Sequence, residues 1–405
     1  MLTPREALEK IFEHTRPLDA EDVSLAQAID RTLAVDLVAR IDLPPFDNSA
    51  MDGFAVVAED VARASKVNPV LLHVQEKVRA GLMPTTAIKS GQAIMIMTGA
   101  PLPQGTTAVV MKEATDYNGN GDVKVLFPAD AGDNIRSKGE DVRQGSALLN
   151  AGARIRPYEL ALLAAQGFWN VRVISRPIVG VLATGDELVD PAQDLIQGKI
   201  HNSNGPALLS ALKHWNLEPT DYGIAKDDPA DLEPKLKQAL AECDVLLVSG
   251  GVSVGDFDYT KTILEKLGVK EVFWKVAIKP GKPLFFGVTS DNTCVFGLPG
   301  NPISALVCLE EFVRPALEKL QGFVPKHPSY HLIGKALNEY PLPADRRQYL
   351  FCQANSGKNG FELTIIRPQG SAMMGMATRA NALALPYEDA RKIKSGDEVP
   401  FRWLK

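Results

Sequence analysis

The sequence predicts a multidomain protein of mixed α/β and β class, with a central parallel α/β domain, an all-β insertion domain and a C-terminal β domain. Three observations support this prediction. The 405 residues exceed the roughly 100 to 200 that one domain usually contains. Residues 178 to 320 alternate strand and helix patterns, which is typical of a parallel sheet covered on both faces. Residues 45 to 144 and 325 to 405 instead carry short β-favouring runs between Gly, Pro and Asn turns.

The predicted domain boundaries follow from these changes of pattern. Residues 1–44 and 145–176 form an elongated N-terminal or linker domain, and residues 45–144 form the β insertion. Residues 177–324 form the α/β domain, and residues 325–405 form the C-terminal β domain. Two prolines or an Arg-Pro step mark three of these boundaries, near residues 44–45, 176–177 and 325–328, where they interrupt regular structure.

Composition excludes several classes of protein. The net charge is −5 and no basic tail is present, which disfavours a nucleic-acid partner. No apolar run approaches the 18 or so residues of a membrane span, and charges at the N-terminus interrupt any signal peptide. The four cysteines form no CxxC pair, so neither a zinc site nor a disulfide framework is expected. We therefore expect a cytoplasmic protein without a membrane or nucleic-acid partner.

The N-terminal part contains three predicted helices. Thr3 and Pro4 are a suitable N-cap and first turn for a helix over residues 3 to 14. A second helical pattern covers SLAQAIDRTLA, and a third begins at Pro157 and ends near Gly167. The insertion is expected to form strands from the runs FAVVA, VLLHVQEKV, AIMIMTG, AVVMKEA and VKVLF.

Acidic loops follow three strands of the predicted α/β domain. Asp186 and Glu187 follow IVGVLAT, Asp227 and Asp228 follow DYGIA, and Asp256 and Asp258 lie beyond DVLLVS. Because ligands bind beyond the carboxyl ends of parallel strands, we expect these acids to be neighbours. Each has an alternative interpretation: Asp256 and Asp258 as helix N-caps, Glu187 as a solvated acid, and Asp227 as a turn residue.

Two glycine-rich loops and one basic loop occur in the same region. GGVSVG lacks the GKS or GKT of a P-loop and does not match GxGxxG, so neither a P-loop nor a dinucleotide site is predicted. Carboxylates beside a glycine-rich loop suit Mg²⁺ with a phosphate substrate. The segment KVAIKPGKPLFFG is expected to be a basic loop that cradles an oxyanion, or alternatively a solvated turn. Ser304, in LPGNPIS, is either a ligand contact or a helix-capping hydroxyl.

These motifs carry a resemblance to a known family. TGDEL, SGGVSVGDFDYTK, KPGKP and GLPGNPISA, with PPFDNSAMDGFAV and MTGAPLP upstream, closely resemble the molybdopterin molybdenumtransferase (MoeA) family, which includes the E domains of gephyrin and of plant molybdenum-cofactor enzymes. The resemblance implies an L-shaped homodimer of four domains per subunit, with an α/β domain similar to molybdopterin adenylyltransferases. It also implies an active site shared between one subunit and its partner's β insertion.

The family's reaction joins molybdate to the dithiolene sulfurs of adenylylated molybdopterin and cleaves the adenylate, with Mg²⁺, releasing molybdenum cofactor and AMP. By the same resemblance, other cofactor-biosynthesis proteins and apo-molybdoenzymes are expected partners. A divalent metal fits this chemistry because it neutralises phosphate oxygens. Glu187 and Asp258 are the expected metal contacts, and Asp227 or Asp228 is expected to orient the nucleotide or a metal-bound water.

The resemblance also assigns the remaining candidate residues. Asp52 and Thr98 would serve the partner's site, although both have alternative roles, Asp52 in a turn and Thr98 at a strand end. Molybdate, a tetrahedral dianion, would be held by lysines and hydroxyls. The expected contacts to molybdate or to the pterin adenylate are Gly250, Gly251, Ser253, Lys275, Lys279, Lys282, Pro299, Gly300, Ser304, Arg347 and Ser371.

The sequence departs from the family at one position. The family usually has an arginine two residues after an aromatic residue in the C-terminal domain, whereas RRQYLFCQ places Phe351 there, after Tyr349. Our hypothesis is that Arg346 or Arg347 substitutes for it. Three alternatives stay open at this point: an adenylyltransferase, a nonenzymatic molybdopterin-binding scaffold, and a relative with altered oxyanion or cofactor handling. Binding of tungstate in place of molybdate also stays open.

Overall fold

The computed structural model describes residues 1–119, 121–251, 259–342 and 346–404. The chain divides into two compact units, one comprising Met1–Asp22 with Arg172–Lys405 and the other comprising Val23–Val171. The strands Ala20–Ser24 and Asn170–Ile174 fall where the chain passes from one unit to the other. Within the described ranges, each helix is too short or too polar to cross a membrane.

The Val23–Val171 unit is built around a six-stranded sheet, which realises the predicted β insertion. Most neighbouring strands are antiparallel, and two apolar clusters cover its faces, with Phe54 in one and Ala55 in the other. This alternation is the period of two that a strand imposes on its side chains. In sheet order the strands are Ala108–Met111, Gly53–Val56, Gln92–Ile96, Val70–Val78, Asp122–Val125 and Thr115–Asp116.

Smaller elements complete this unit. The predicted helix at Pro157 is present as Pro157–Ala165, and Gly167 follows it with φ +73°. The other elements are the strands Leu37–Val38, Asn48–Ser49, Ile135–Arg136 and Ala147–Leu149, the helix Ala58–Val61 and the 3₁₀ turn Lys112–Ala114.

The helix predicted for SLAQAIDRTLA is wrong. Only a 3₁₀ turn, Leu25–Gln27, forms there, and Asp30 then reverses the chain with φ +60°. The backbone amides of Asp30 and Leu33 donate to the carbonyls of Ile155 and Ala153. Pairing with a distant segment thus replaces the local hydrogen bonds that helix propensity favours.

The α/β domain of the other unit contains a six-stranded sheet. Residues alternate between its two faces: Val245 and Leu247 join one apolar cluster, whereas Leu246 and Val248 join the other. Helices cover both faces, as predicted. The strands in sheet order are Thr220–Ala225, Val179–Thr184, Val245–Ser249, Cys294–Leu298, Phe285–Val288 and Lys270–Trp274; the helices are Pro4–His14, Asn204–His214, Pro229–Glu242, Tyr259–Lys266, Pro302–Cys308 and Arg314–Leu320, with a π-helical turn at Leu309–Val313.

The sheet is not wholly parallel. The first four strands are parallel, as predicted, but Phe285–Val288 and Lys270–Trp274 add an antiparallel edge. The second half of the segment expected to be a basic loop, KVAIKPGKPLFFG, is therefore a buried strand. Its phenylalanines, Phe285 and Phe286, pack on opposite faces of the sheet. This burial explains why an apolar pair follows the lysines.

The predicted C-terminal β domain is a closed barrel of five strands: Leu332–Ala336, Gly360–Ile365, Leu350–Gly357, Ala382–Ala384 and Glu398–Trp403. Outside the barrel lie the short strands Leu188–Val189, Ile200–His201, Ile278–Lys279, Tyr340–Pro341, Arg347–Gln348 and Lys392–Ile393, and the helix Met374–Ala377. The pair formed by Ile278–Lys279 and Arg347–Gln348 joins the α/β domain to the C-terminal domain.

Candidate active site

Four of the predicted oxyanion-binding residues line one cavity of about 240 Å³ between the α/β and C-terminal domains. We call it the lysine cavity. Lys279 and Lys282 come from the KPGKP loop, Ser304 from the helix Pro302–Cys308, and Ser371 from the C-terminal domain. The cavity therefore presents two ammonium groups and two hydroxyls. Its other lining residues are Ile278, Pro280, Gly281, Pro283, Asn301, Ile303, Arg346, Gln348, Tyr349, Phe351, Gln369, Gly370 and Met376.

Backbone contacts hold the two lysines in place. The amide of Tyr349 donates to the carbonyl of Lys279 at 2.9 Å. The thiol of Cys308 donates to the carbonyl of Gly281 at 3.5 Å. Gly281 has φ +112°, and a Cβ atom built there would lie 2.7 Å from the Cys308 Sγ. Only glycine satisfies both constraints, so this residue type is required by the loop.

Hydrogen bonds also connect the two serine-bearing segments. The amide of Ile303 donates to the carbonyl of Ser371 at 3.0 Å. The side-chain amide of Asn301 donates to the Ser371 hydroxyl at 3.1 Å. Ser304 is 4% exposed and lies in the first turn of its helix. These hydrogen bonds thus hold together the two segments that carry Ser304 and Ser371, and both serines line the lysine cavity.

At the position where the family resemblance predicts an arginine, Phe351 forms an apolar part of the lysine cavity. Its ring belongs to the main hydrophobic cluster, and its backbone exchanges hydrogen bonds with the side-chain amide of Gln369. Arg346 lines the lysine cavity, as one form of the substitution hypothesis requires. Arg347 is absent from the lining of the lysine cavity and lines a different cavity beside Thr3 and Pro4, which Arg346 and Gln348 also line. Of the two arginines, Arg346 is thus the one that lies at the lysine cavity.

Lys275, like Arg347, is a predicted contact that does not line the lysine cavity. Its ammonium is 3.7 Å from the centroid of the Trp274 ring, in a cation–π arrangement. It is absent from the described linings of the lysine cavity and of the larger cavity below. Lys275 has a positive φ of +74°, which turns the chain immediately after the edge strand Lys270–Trp274. This turn accounts for the position of the lysine side chain over the Trp274 ring.

The acidic and glycine-rich loops line a second cavity of about 770 Å³, which we call the acidic cavity. Glu187 and Asp227 lie on it, as expected from the carboxyl ends of neighbouring strands. The glycine-loop residues Gly250, Gly251, Pro299 and Gly300 line it as well. Pro283 and Asn301 line both cavities, which are therefore adjacent.

Negative charge is concentrated around Asp227. The amides of Asp186 and Asp227 donate to each other's carboxylates, at 3.4 and 3.2 Å. The pKa of Asp227 is raised, mainly by burial, with further contributions from the charges of Asp186 and Glu187. A cation or a hydrogen-bond donor at this point would relieve the repulsion among these carboxylates. Asp228 instead caps the helix Pro229–Glu242 by accepting from the Ala230 amide.

The glycines let two strand ends approach closely. Gly250 and Gly251 have φ +96° and +61°. A Cβ on Gly250 would lie 2.3 Å from the Thr184 carbonyl oxygen, and one on Gly251 would lie 2.2 Å from the Thr260 hydroxyl. Three buried polar atoms around this point lack a hydrogen-bond partner in the described structure: the hydroxyls of Thr184 and Thr260 and the Oδ1 of Asn204. Such atoms are normally satisfied, so these indicate a ligand or water.

The predicted metal site is only partly described. Ser253, Asp256 and Asp258 lie outside the described residues. Elsewhere in the chain, among residues that are described, no three His, Cys, Asp or Glu side chains are grouped closely enough to hold a metal. Glu187 and Asp227 nevertheless offer hard carboxylate oxygens at one cavity. This donor set suits Mg²⁺, which binds through one or two carboxylates and otherwise keeps water or phosphate oxygens.

Asp52 and Thr98 form a pair within the Val23–Val171 unit. Both the amide and the hydroxyl of Thr98 donate to one oxygen of the exposed Asp52 carboxylate, each at 2.7 Å. These bonds, the backbone one foremost, lower the pKa of Asp52. Thr98 thus fixes the orientation of the carboxylate through one of its oxygens and favours its ionised form.

Sequence reasoning missed several residues that line the cavities. Asn204 donates to the Ser249 hydroxyl at 2.7 Å and to the Gly300 carbonyl at 2.8 Å, and so ties the glycine loops together. The segment HNSNGP, within which its helix begins, is the one signal that could have indicated it. Asn301 and Gln348 carried no signal, because isolated amide residues are common on ordinary surfaces.

Comparison with known proteins places the chain in a family. Residues 2–167 match the model of the MoeA N-terminal region (domains I and II), residues 180–319 match that of a probable molybdopterin-binding domain, and residues 334–404 match that of the MoeA C-terminal region (domain IV). A molybdopterin molybdenumtransferase from Haemophilus influenzae is 36% identical over 410 residues, covering 100% of both chains. One from Bacillus subtilis is 39% identical, covering 97% of this chain and 92% of that one.

Solved structures agree with these sequence matches. The crystal structure of a molybdopterin biosynthesis MoeA protein from Pyrococcus horikoshii OT3 has a TM-score of 0.82 and 31% identity, covering 100% of both chains. The class that the fold defines is thus an α/β domain of the molybdopterin-binding type, flanked by an N-terminal and a C-terminal region. The chain belongs to the MoeA family, which contains the molybdopterin molybdenumtransferases.

Proposed function

We propose that this protein is a transferase of molybdenum cofactor biosynthesis that inserts molybdate into adenylylated molybdopterin, with cleavage of the adenylate and release of molybdenum cofactor and AMP. The observation that carries the proposal is the adjacency of the lysine and acidic cavities, which share Pro283 and Asn301. An oxyanion substrate and a phosphate-bearing substrate thereby have sites next to each other, as a reaction between them requires.

The lysine cavity is the site for molybdate in this proposal. Lys279 and Lys282 neutralise the dianion, and the hydroxyls of Ser304 and Ser371 donate hydrogen bonds to its oxygens. Arg346 adds a third cation on the side where Phe351 supplies none. Tungstate has the same charge and shape, and these contacts therefore bind it as well.

The acidic cavity is the site for the pterin adenylate. Backbone amides of the glycine loops approach its phosphates without side-chain interference, and Asn204 keeps those loops together. Glu187 and Asp258 would hold Mg²⁺ with help from Asp227, and the ion would supply charge neutralisation at the phosphate oxygens. Asp227 would also help to orient the nucleotide or a metal-bound water.

The assembly we propose is a homodimer with shared sites. The exposed, ionised Asp52 carboxylate, oriented by Thr98, is suited to act on a partner's site. Apo-molybdoenzymes and other proteins of the same biosynthesis are the proposed partners. The cytoplasm is the proposed location, and the four free cysteines are consistent with a reducing compartment.

The decisive experiment supplies purified protein with adenylylated molybdopterin, molybdate and Mg²⁺. We expect AMP release together with reconstitution of an apo-molybdoenzyme. A Lys279→Met/Lys282→Met double variant should lose reconstitution, whereas Lys335→Met, which replaces an exposed lysine of the barrel, should retain it. A protein that makes adenylylated molybdopterin from molybdopterin and ATP would instead be an adenylyltransferase. Binding of molybdopterin without either reaction would indicate a scaffold.

A further inference from the structure

The lysine cavity contains a buried amide whose hydrogen-bonding capacity is not used. Gln348 is 6% exposed and lines the cavity. Its nitrogen end has one weak contact, 3.4 Å from the Tyr340 hydroxyl, and its oxygen end has no partner in the ranges the structure describes. A buried, unpaired amide oxygen is unfavourable, because it has lost its hydrogen bonds to water without replacing them. The Gln348 amide therefore favours a hydrogen-bond partner that the described residues do not supply.

The second side-chain glutamine amide of the cavity, that of Gln369, is fully hydrogen-bonded. Gln369 accepts from the Phe351 amide and donates to the carbonyls of Phe351 and Ile366, at 2.8 and 3.0 Å. All of its capacity serves to fix the backbone beside Phe351. Gln348, which directly precedes Tyr349, lines the same cavity without such bonds. The Gln369 amide therefore stabilises the backbone, whereas the Gln348 amide is available to bind a ligand.

Rotating the Gln348 amide by half a turn exchanges its two ends at little cost. The Tyr340 hydroxyl then donates to Oε1, and the NH₂ group becomes the end without a protein partner. In this orientation the cavity gains a neutral donor. A tetrahedral dianion beside Lys279, Lys282 and Arg346 is the acceptor that such a donor fits, because its oxygens outnumber the cations around it.

We infer that Gln348 is an oxyanion-binding residue of this chain, donating a neutral hydrogen bond to the bound molybdate in the cavity where Phe351 provides no charge. The inference rests on the proposed function of the lysine cavity. A neutral donor favours oxyanions with fully ionised, accepting oxygens, and discriminates against a protonated oxygen that presents its own O–H. Tyr340 is a positioning residue, since it acts by fixing the amide.

Equilibrium binding of molybdate and tungstate to the full-length protein tests this inference without any turnover. Gln348→Met keeps the side chain's length and removes the donor, and should weaken binding of both oxyanions about tenfold or more. Gln348→Glu keeps the shape and should weaken binding further at pH 8, with recovery as the pH falls and the carboxyl becomes a donor. Tyr340→Phe should have a smaller effect in the same direction.

The matched control is Gln353→Met, an exposed glutamine of the barrel strand Leu350–Gly357, which should bind as the unmodified protein does. Unfolding temperatures of all variants separate lost contacts from lost folding. If Gln348→Met does not fold, the pH dependence of Gln348→Glu decides instead, and a pH-independent affinity overturns the inference.

Unchanged oxyanion affinity in Gln348→Met would also overturn it, and would leave the amide bridged by water or serving the cavity beside Arg347. Failure of the unmodified protein to bind any oxyanion would contradict the proposed function itself. The two failures are thus distinguishable.

Discussion

At the scale of single residues, the site consists of groups that the fold holds in energetically unfavourable surroundings. Asp227 lies beside Asp186 and Glu187, and burial together with these charges raises its pKa. Thr184, Thr260 and Asn204 have buried polar atoms without partners in the described chain. Gly281 accepts a left-handed conformation against a thiol. Clusters of this kind are typical of binding sites, where a ligand completes what the protein leaves unsatisfied.

Asp227→Asn is expected to raise the unfolding temperature and to lower turnover. A carboxyl with a raised folded-state pKa is destabilising once ionised, so its penalty is absent at low pH and grows as the pH rises through the unfolded and then the folded pKa. The asparagine variant should therefore gain most at neutral pH and little near pH 4. Calorimetry across pH measures this, and a variant less stable than the parent at pH 7 would contradict it.

At the scale of elements, the KPGKP loop is positioned by what lies beneath it. The helix Pro302–Cys308 brings the Cys308 thiol against Gly281, and the short strand Arg347–Gln348 pairs with Ile278–Lys279. The loop is thus held from both the α/β domain and the C-terminal domain. Backbone geometry thus sets the positions of its two lysines.

Gly281→Ala should therefore reduce oxyanion binding and stability together. The added Cβ would meet the Cys308 Sγ and the Ile278 side chain, each at 2.7 Å, in a backbone conformation that disfavours alanine. We expect a loss of about 1 to 3 kcal/mol in the free energy of unfolding, measured in urea. Gly375→Ala is the control, because no atom lies within 4 Å of its Cβ position. Equal effects of the two substitutions would rule out the steric explanation.

At the scale of the whole molecule, a buried ionic network joins the C-terminal barrel to the α/β domain. Glu311, in the π-helical turn Leu309–Val313, is 3% exposed and accepts from Arg402 at 2.9 Å and from the Tyr330 hydroxyl at 2.7 Å. Burial raises the pKa of Glu311, although Arg402 opposes the shift. The lysine cavity, whose walls come from both domains, relies on this junction.

Arg402→Met should destabilise the protein by about 3 to 5 kcal/mol at pH 7, because it leaves the Glu311 charge buried and unpaired. The raised pKa sets the sign of the pH dependence: the penalty is present when Glu311 is ionised and shrinks as the pH falls and the carboxyl is protonated. Urea denaturation at pH 5 and pH 7.5 compares the two. Arg314→Met, which removes partly exposed pairs with Glu310 and Glu318, should cost little at either pH.

The proposed shared site predicts complementation between inactive subunits. Asp52→Ala and Glu187→Gln should each abolish turnover as homodimers, since one removes the carboxylate offered to the partner and the other a metal contact. Mixed heterodimers would contain one site with neither change, and up to about half of the activity of an unmodified dimer should return. Subunit exchange is verified with differently tagged chains. Exchange without recovered activity would exclude the shared site.

Much of the fold and part of the site followed from local patterns. Alternating strands and helices predicted the α/β domain, and the carboxyl ends of its strands brought Glu187 and Asp227 to one cavity, as the topology of a parallel sheet requires. The lysines and serines that line the lysine cavity were predicted from motif resemblance. Arg346 and Arg347 were not distinguishable, because neighbouring residues of an extended chain point in different directions and the register is set by pairing with Ile278–Lys279.

By itself, then, the sequence determined the classes of its domains and the loops that carry chemistry, since periodicity, turn residues and charge act within a few residues of one another. The tertiary structure decided the rest: the antiparallel edge of the sheet, the loss of the helix predicted for SLAQAIDRTLA, the apolar role of Phe351 and the unpaired amide of Gln348. Each of these features depends on which residues, far away in the sequence, contact the segment in the folded protein. Pairing and burial between segments far apart in the chain leave no local signal.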